Sequence, residues 1–135
     1  MTRQDDLMNM ARAIAKKATC PKKQVGCVIA DYQNNVISYG YNQVPYKMRS
    51  CIDKPCSKNL NNCHAVHAEA MALIQCCQIN AVHTIYVTLS PCFECAKLIC
   101  STACQKVIYL EDYKKSDGIE LLRKNNIEVV KYEYN

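Results

Sequence analysis

Two short runs of this 135-residue chain hold side chains whose types and spacing suit metal chemistry. In Pro91-Cys92-Phe93-Glu94-Cys95, two thiols stand three positions apart where a β-branched run gives way to a helical pattern. Residues i and i+3 share a helix face, so both sulfurs can reach one ion. The positive partial charge of a helix start also favours thiolate, the form that binds zinc. His67-Ala68-Glu69 lies at another predicted helix start, and His67 offers a third ligand. Three protein ligands leave a tetrahedral ion one open position, which marks a catalytic rather than a structural site. Water activated there needs a group that takes and returns its proton, and Glu69 is placed for that part. Alone, a Cys-x-x-Cys pair can be a redox dithiol, and a His–Glu pair is ordinary surface. Together they point to metal-assisted hydrolysis. Residues two apart diverge on a regular helix. His67 and Glu69 therefore share a pocket only if His67 sits at the irregular helix start, or if Glu69 meets the water rather than the ion.

The elements that must position these groups follow from periodicity. Asp5 to Ala18 puts Leu7, Met10, Ala11, Ile14 and Ala18 on one face of a helix that Pro21 stops. Strands are predicted over Val25 to Ala30 and Val36 to Tyr41, joined as a hairpin by Gln33-Asn34-Asn35. Residues 42–63 lack any period, and a loop this long suggests function or a metal clip. The pattern then gives a helix from His67 to Cys77, a strand Thr84 to Leu89 and a helix Pro91 to Ala103. A strand Lys106 to Leu110, a helix Gly118 to Asn125 and a strand Ile127 to Lys131 complete it. Helical crossovers make parallel neighbours while the opening hairpin is antiparallel, so an α/β sandwich with a mixed sheet is predicted.

One domain spanning residues 1–135 fits the length. Half the residues are hydrophobic and 21% are charged, and no stretch reaches the roughly 18–20 apolar residues of a membrane span. Met1 to Asp6 carries two acids and no apolar core, unlike a secretory signal. A cytoplasmic, reducing location without a membrane partner is therefore expected. There the 11 cysteines read as metal ligands or buried thiols rather than a disulfide framework. Cys27, Cys76, Cys77, Cys100 and Cys104 are expected as small core residues, Cys100 and Cys104 on one helix face. A net charge of +5 suits an anionic substrate such as a phosphate and is too mild to call for nucleic acid.

His67-Ala68-Glu69 followed by Pro91-Cys92-x-x-Cys95 matches the signature of the zinc-dependent nucleobase deaminases. The likeness runs along nearly the whole chain. Lys23 to Ile29, Gly40-Tyr41-Asn42-Gln43-Val44-Pro45, Tyr86 to Lys97, Val107 to Tyr113 and Gly118 to Leu122 resemble the deoxycytidylate deaminases of the cytidine deaminase superfamily. That resemblance implies a three-layer α/β/α cytidine-deaminase-like fold with a central five-stranded mixed sheet. It implies deamination of dCMP to dUMP, supplying dUMP for thymidylate synthesis, while departures from the family pattern at Gln43, Met71, Gln75 and Gln78 leave room for dCTP to dUTP as well. Glu69 would protonate N3 of the cytosine and carry a proton to the departing ammonia. The Ala68 amide and the Ser90 carbonyl would orient the base edge, Asn42 would contact the deoxyribose, and Tyr113 would line the base or sugar pocket. A triphosphate substrate would bring Mg2+.

Some such enzymes hold a second, structural zinc, and Cys20, Cys51, Cys56 and Cys63 occupy the matching region, with His64 as a substitute ligand. Relatives are commonly hexamers, so a homo-oligomer is expected by analogy. The resemblance also brings dCTP and dTTP as effectors. Gln75 and Gln78, however, stand where regulated relatives carry Phe and Arg, and Gln43 and Met71 also depart from the common pattern. A nucleoside cytidine deaminase would resemble Cys-Ala-Glu at the first motif. A tRNA adenosine deaminase shares His-Ala-Glu but should lack the Tyr41-Asn42 turn and the Cys-rich loop. A zinc-stabilised binding module would have no use for Glu69.

Overall fold

Thr2 starts the first helix with a reciprocal cap. Its Oγ1 accepts from the Asp5 amide and the Asp5 carboxylate accepts from the Thr2 amide, each at 3.1 Å. Two orphan donors of the first turn are thereby satisfied. Helix α1 runs Arg3–Ala15, so it begins two residues earlier and ends three earlier than periodicity predicts. In this computed structural model, residues 2–18, 20, 23–45 and 65–134 are described.

The remaining elements are β1 (Gly26–Ala30), β2 (Val36–Tyr41), α2 (Ala68–Ile74), β3 (Thr84–Leu89), α3 (Phe93–Cys100), β4 (Lys106–Glu111), α4 (Asp117–Lys124) and β5 (Glu128–Lys131). The five strands form one mixed sheet in the order β2-β1-β3-β4-β5. β1 is antiparallel to both β2 and β3, whereas β3, β4 and β5 run parallel. This is the predicted mixed α/β sheet. Helices α2 and α3 are shorter than their apolar patterns, ending at Ile74 and Cys100, because the residues that follow them turn.

Period-two alternation divides the sheet between two cores. Cys27, Ile29, Ile85, Val87 and Val107 face the α2, α3 and α4 layer, where Ala72, Ile99 and Leu122 meet them. Val28, Ala30, Tyr86 and Ile108 face α1, against Leu7, Met8, Ala11 and Ile14. Met8 joins this core although it was not on the predicted apolar stripe. The hairpin turn is built on Asp31, whose Oδ1 accepts from the Gln33 and Asn35 amides at 2.9 Å each. Asn34 takes a φ of 62°, a conformation Asn tolerates.

Cysteine placement departs from expectation in two ways. Cys27 and Cys104 are buried, but Cys77 is exposed and Cys76 and Cys100 are half-buried. Cys104 also lies beyond the end of α3, so it shares no helix face with Cys100. No helix among the described residues is long and apolar enough to cross a membrane.

The close seat of α1 on the sheet depends on Gly26. A Cβ there would stand 2.0 Å from the Ala11 carbonyl oxygen and 2.7 Å from the Ala15 nitrogen. Backbone atoms cannot rotate aside, so the helix would have to lift. Gly26→Ala is expected to destabilise the fold by at least about 2 kcal/mol in urea titrations. Unchanged stability would show that α1 can shift freely.

Candidate active site

The carboxyl end of β3 leads straight into the candidate metal centre. Ser90 is pinned there by two bonds, its amide to the Glu111 carbonyl at 2.8 Å and its Oγ accepting from the Tyr113 amide at 2.7 Å. Cys92 is the N-cap of α3, and its sulfur accepts from the Cys95 amide at 3.5 Å. From the other side, Gln43 and Val66 exchange backbone hydrogen bonds of 3.1 and 2.7 Å, and this bridge delivers His67 to the start of α2. Ser38 Oγ fixes α2 to β2 by donating to the Ala72 carbonyl at 2.6 Å.

His67 caps α2 with extended backbone (φ −66°, ψ 154°), and Glu69 falls in the first helical turn. The irregular start therefore lets both residues face one cavity. His67 Nδ1 lies 3.4 Å from Cys92 Sγ and 3.3 Å from Cys95 Sγ. The donor atoms of all three lie within 4.8 Å of one another, and this is the only such group found among the described residues. Bonds of about 2.0 Å to nitrogen and 2.3 Å to sulfur at tetrahedral angles put such donors about 3.5 Å apart. The donor set and its spacing fit zinc. Cys20 is half-buried at the rim of the cavity. Cys51, Cys56, Cys63 and His64, the other expected ligands of a second zinc, lie outside the described residues.

The cavity, about 110 Å³, is lined by Val25, Asn42, Ala68, Glu69, Leu89 and Tyr113 beside His67 and Cys92. Glu69 is 4% exposed, and burial pushes its carboxyl up to about 7, against the pull of the His67 and Lys23 charges. Hydrogen bonding from Cys95 and His67 brings the Cys92 thiol down to about 3, while the bond to Cys92 and burial raise Cys95. The bond with Cys92 raises His67. The direction of the Cys92 shift favours thiolate, the form that binds a metal, and a bound cation would displace any remaining thiol proton.

Ala68 and Ser90 both reach the cavity. Asn42 does too, but its amide is already engaged: Oδ1 accepts from the Val25 amide and Nδ2 donates to the Lys23 carbonyl, both at 2.8 Å. Each atom retains one further bonding position for a ligand. Lys23 escaped the sequence reading as a site residue, because a single lysine before a strand carries no signature. Its Nζ sits 4.9 Å from the Tyr113 ring centre, at the cavity wall.

The Cys92 turn is held from behind by α4. A Cβ on Gly118 would stand 2.2 Å from the Pro91 carbonyl oxygen and 2.9 Å from that of Cys92. Gly118→Ala is expected to push this turn away and weaken zinc binding about tenfold or more, read by competition with a chromophoric chelator. Wild-type zinc affinity in a folded variant would contradict that positioning.

The family described as the cytidine and deoxycytidylate deaminase zinc-binding region matches residues 1–111. The deoxycytidylate deaminase of Mycobacterium phage D29 is 31% identical over 115 residues, which cover 76% of this chain and 89% of that protein. That of Saccharomyces cerevisiae is 29% identical over 137 residues, 94% of this chain but 44% of the yeast protein. The chain thus spans less than half the length of the yeast relative. The crystal structure of dCMP deaminase from cyanophage S-TIM5, in complex with dCMP and dUMP, shares the fold with a TM-score of 0.79. It is 23% identical, and the match covers 96% of each chain. With its zinc-ligand cluster in place and the family match running from residue 1 to residue 111, the chain belongs to the cytidine and deoxycytidylate deaminase family.

Proposed function

We propose that this protein hydrolyses the 4-amino group of a deoxycytidine nucleotide, converting dCMP to dUMP and ammonia. One observation carries the reading: the buried Glu69 lines the same small cavity as His67 and Cys92, whose donor atoms lie within 4.8 Å of the Cys95 sulfur. Zinc held by those three would supply Lewis acidity and make water a nucleophile near neutral pH. The chain's own part is proton traffic and orientation. Water adds to C4 while Glu69 takes its proton and delivers it to N3. Glu69 then conveys a proton to the amine, the C4–N bond breaks, and a C4 carbonyl remains. The Ala68 amide and Ser90 carbonyl face the base edge, between the apolar walls of Val25 and Leu89. Asn42 is assigned to the deoxyribose and Tyr113 to the base or sugar, in keeping with their places on the cavity wall.

Zinc-loaded protein is expected to release ammonia from dCMP, and Glu69→Gln to retain zinc while losing about a thousandfold in kcat. Turnover of tRNA but not dCMP would sink the substrate reading. Substantial activity in Glu69→Gln would sink the role of that carboxyl.

A second, structural zinc on Cys20, Cys51, Cys56 and Cys63, with His64 in reserve, is supported by the density of cysteines in residues 51–63 and by the place of Cys20. Metal analysis should then find about two zinc ions per chain and about one in Cys51→Ser/Cys56→Ser. Equal metal content in both proteins would dismiss the second site. A homo-oligomer is supported by Ile74, Phe93 and Leu98, apolar residues that α2 and α3 leave exposed.

A further inference from the structure

Beside the base cavity lies a second, wider depression of about 390 Å³, on the α1 face of the sheet. The two share Lys23, Val25 and Leu89 as walls, so they meet at the carboxyl end of β3. Arg12 in the last turn of α1 and Lys16 at its C-cap border the groove, and Gln24, Thr88 and Glu111 complete the polar lining. Three cations therefore face one carboxylate. Among the described residues, none of the three enters an ion pair. Arg12 instead lies 5.6 Å over the Tyr134 ring, and Lys23 lies 4.9 Å over that of Tyr113. Gathering unpaired like charges costs Coulomb energy, which a bound anion repays.

We propose that this groove receives the phosphate chain of the nucleotide whose base occupies the cavity, so that deoxynucleoside triphosphates bind more tightly than monophosphates. The inference rests on the deoxycytidine nucleotide reading above and adds the direction in which the ligand leaves the cavity. Lys23, shared by both spaces, meets the phosphate nearest the sugar. Arg12 and the C-cap Lys16, four residues apart at the end of α1, meet the outer phosphates, and the Arg12 guanidinium can hold two oxygens of one group. A rival explanation is that Arg12 and Lys16 merely complement the negative end of α1. It accounts for neither Lys23 nor the shared wall.

Calorimetric titration of zinc-loaded protein with deoxyuridine, dUMP and dUTP, without added magnesium, tests this free of turnover. Each added charge contact is expected to strengthen binding about tenfold, so dUMP should exceed deoxyuridine and dUTP should exceed dUMP. Arg12→Gln/Lys16→Gln should reduce the dUTP to dUMP affinity ratio to about one, and Lys23→Gln should reduce the dUMP to deoxyuridine ratio. The charge-conserving Arg12→Lys/Lys16→Arg should keep the preference for dUTP, separating charge from folding. A wild-type protein that binds dUTP no better than dUMP would overturn the proposal, as would a preference that survives neutralisation. Tight, charge-dependent dUTP binding without dCMP turnover would instead refute the assigned reaction and leave the groove standing.

Discussion

Everything at this site depends on three donor atoms, from segments 25 residues apart, meeting within bonding distance of one ion. His67 and the Cys92–Cys95 pair sit at the starts of two different helices, each fixed to the sheet by different means. The Gln43–Val66 bridge and the Ser38–Ala72 hydrogen bond set α2, while Ser90, Glu111 and the glycine seat of α4 set the turn into α3. None of these bonds touches the metal. They work by removing freedom before the ion arrives, so that binding energy is not spent on ordering the ligands.

The electrostatics of the cavity follow from that convergence. An imidazole, two sulfurs and a buried carboxyl crowded together cannot titrate independently. Desolvation raises Glu69 to about 7, so its carboxylate form costs the fold stability as pH rises from the ordinary glutamate range through neutrality. A divalent cation nearby reverses the sign of that penalty by attracting the same charge. The strain on Glu69 and the affinity for metal are thus two views of one arrangement. A carboxyl whose two protonation states are close in energy is also the kind that can take a proton and return it.

The chemistry was more legible in the sequence than its framing. Paired cysteines, His67 and Glu69 carry signatures because few side chains bind metal or shuttle protons, and their spacing reflects helix geometry. Among the described residues, the order and type of the five strands and four α-helices could also be read, since both cores obey simple periods, whereas the 3-10 turn Ile79–Ala81 carries no period and was not. Boundaries fared worse. Cys76, Cys77 and residues 101–103 are as apolar or small as the helices they follow, yet the chain leaves the helix before them, so Cys77 faces solvent and Cys104 leaves the α3 face. Asp31 could not be told from other acids before the fold made it the acceptor for two turn amides. Asn42 shows a different limit. Its resemblance-derived role concerns a ligand, but its amide also ties the approach to β1 to the residues after β2, a contact that exists only once the hairpin has formed.

Strand β3 is the place where the sheet changes direction, antiparallel to β1 on one side and parallel to β4 on the other. Connections diverge at such a point and leave a crevice at the strand ends, which is where α/β sheets bind ligands. Here the crevice opens on both faces of the sheet. On the α2 and α3 face it is small and walled by Val25 and Leu89, apolar surfaces that would exclude water from the base of the proposed substrate and preserve the strength of each charge. On the α1 face it is broad and basic, with Arg12, Lys16 and Lys23 in its lining, as the phosphate proposal requires. A nucleotide has the same division, a flat, weakly polar base at one end and a hydrated polyanion at the other. On the proposed reading, one sheet end serves both because α1, the one helix on its face among the described residues, stops at Ala15, near the strand ends where Lys23 borders both spaces.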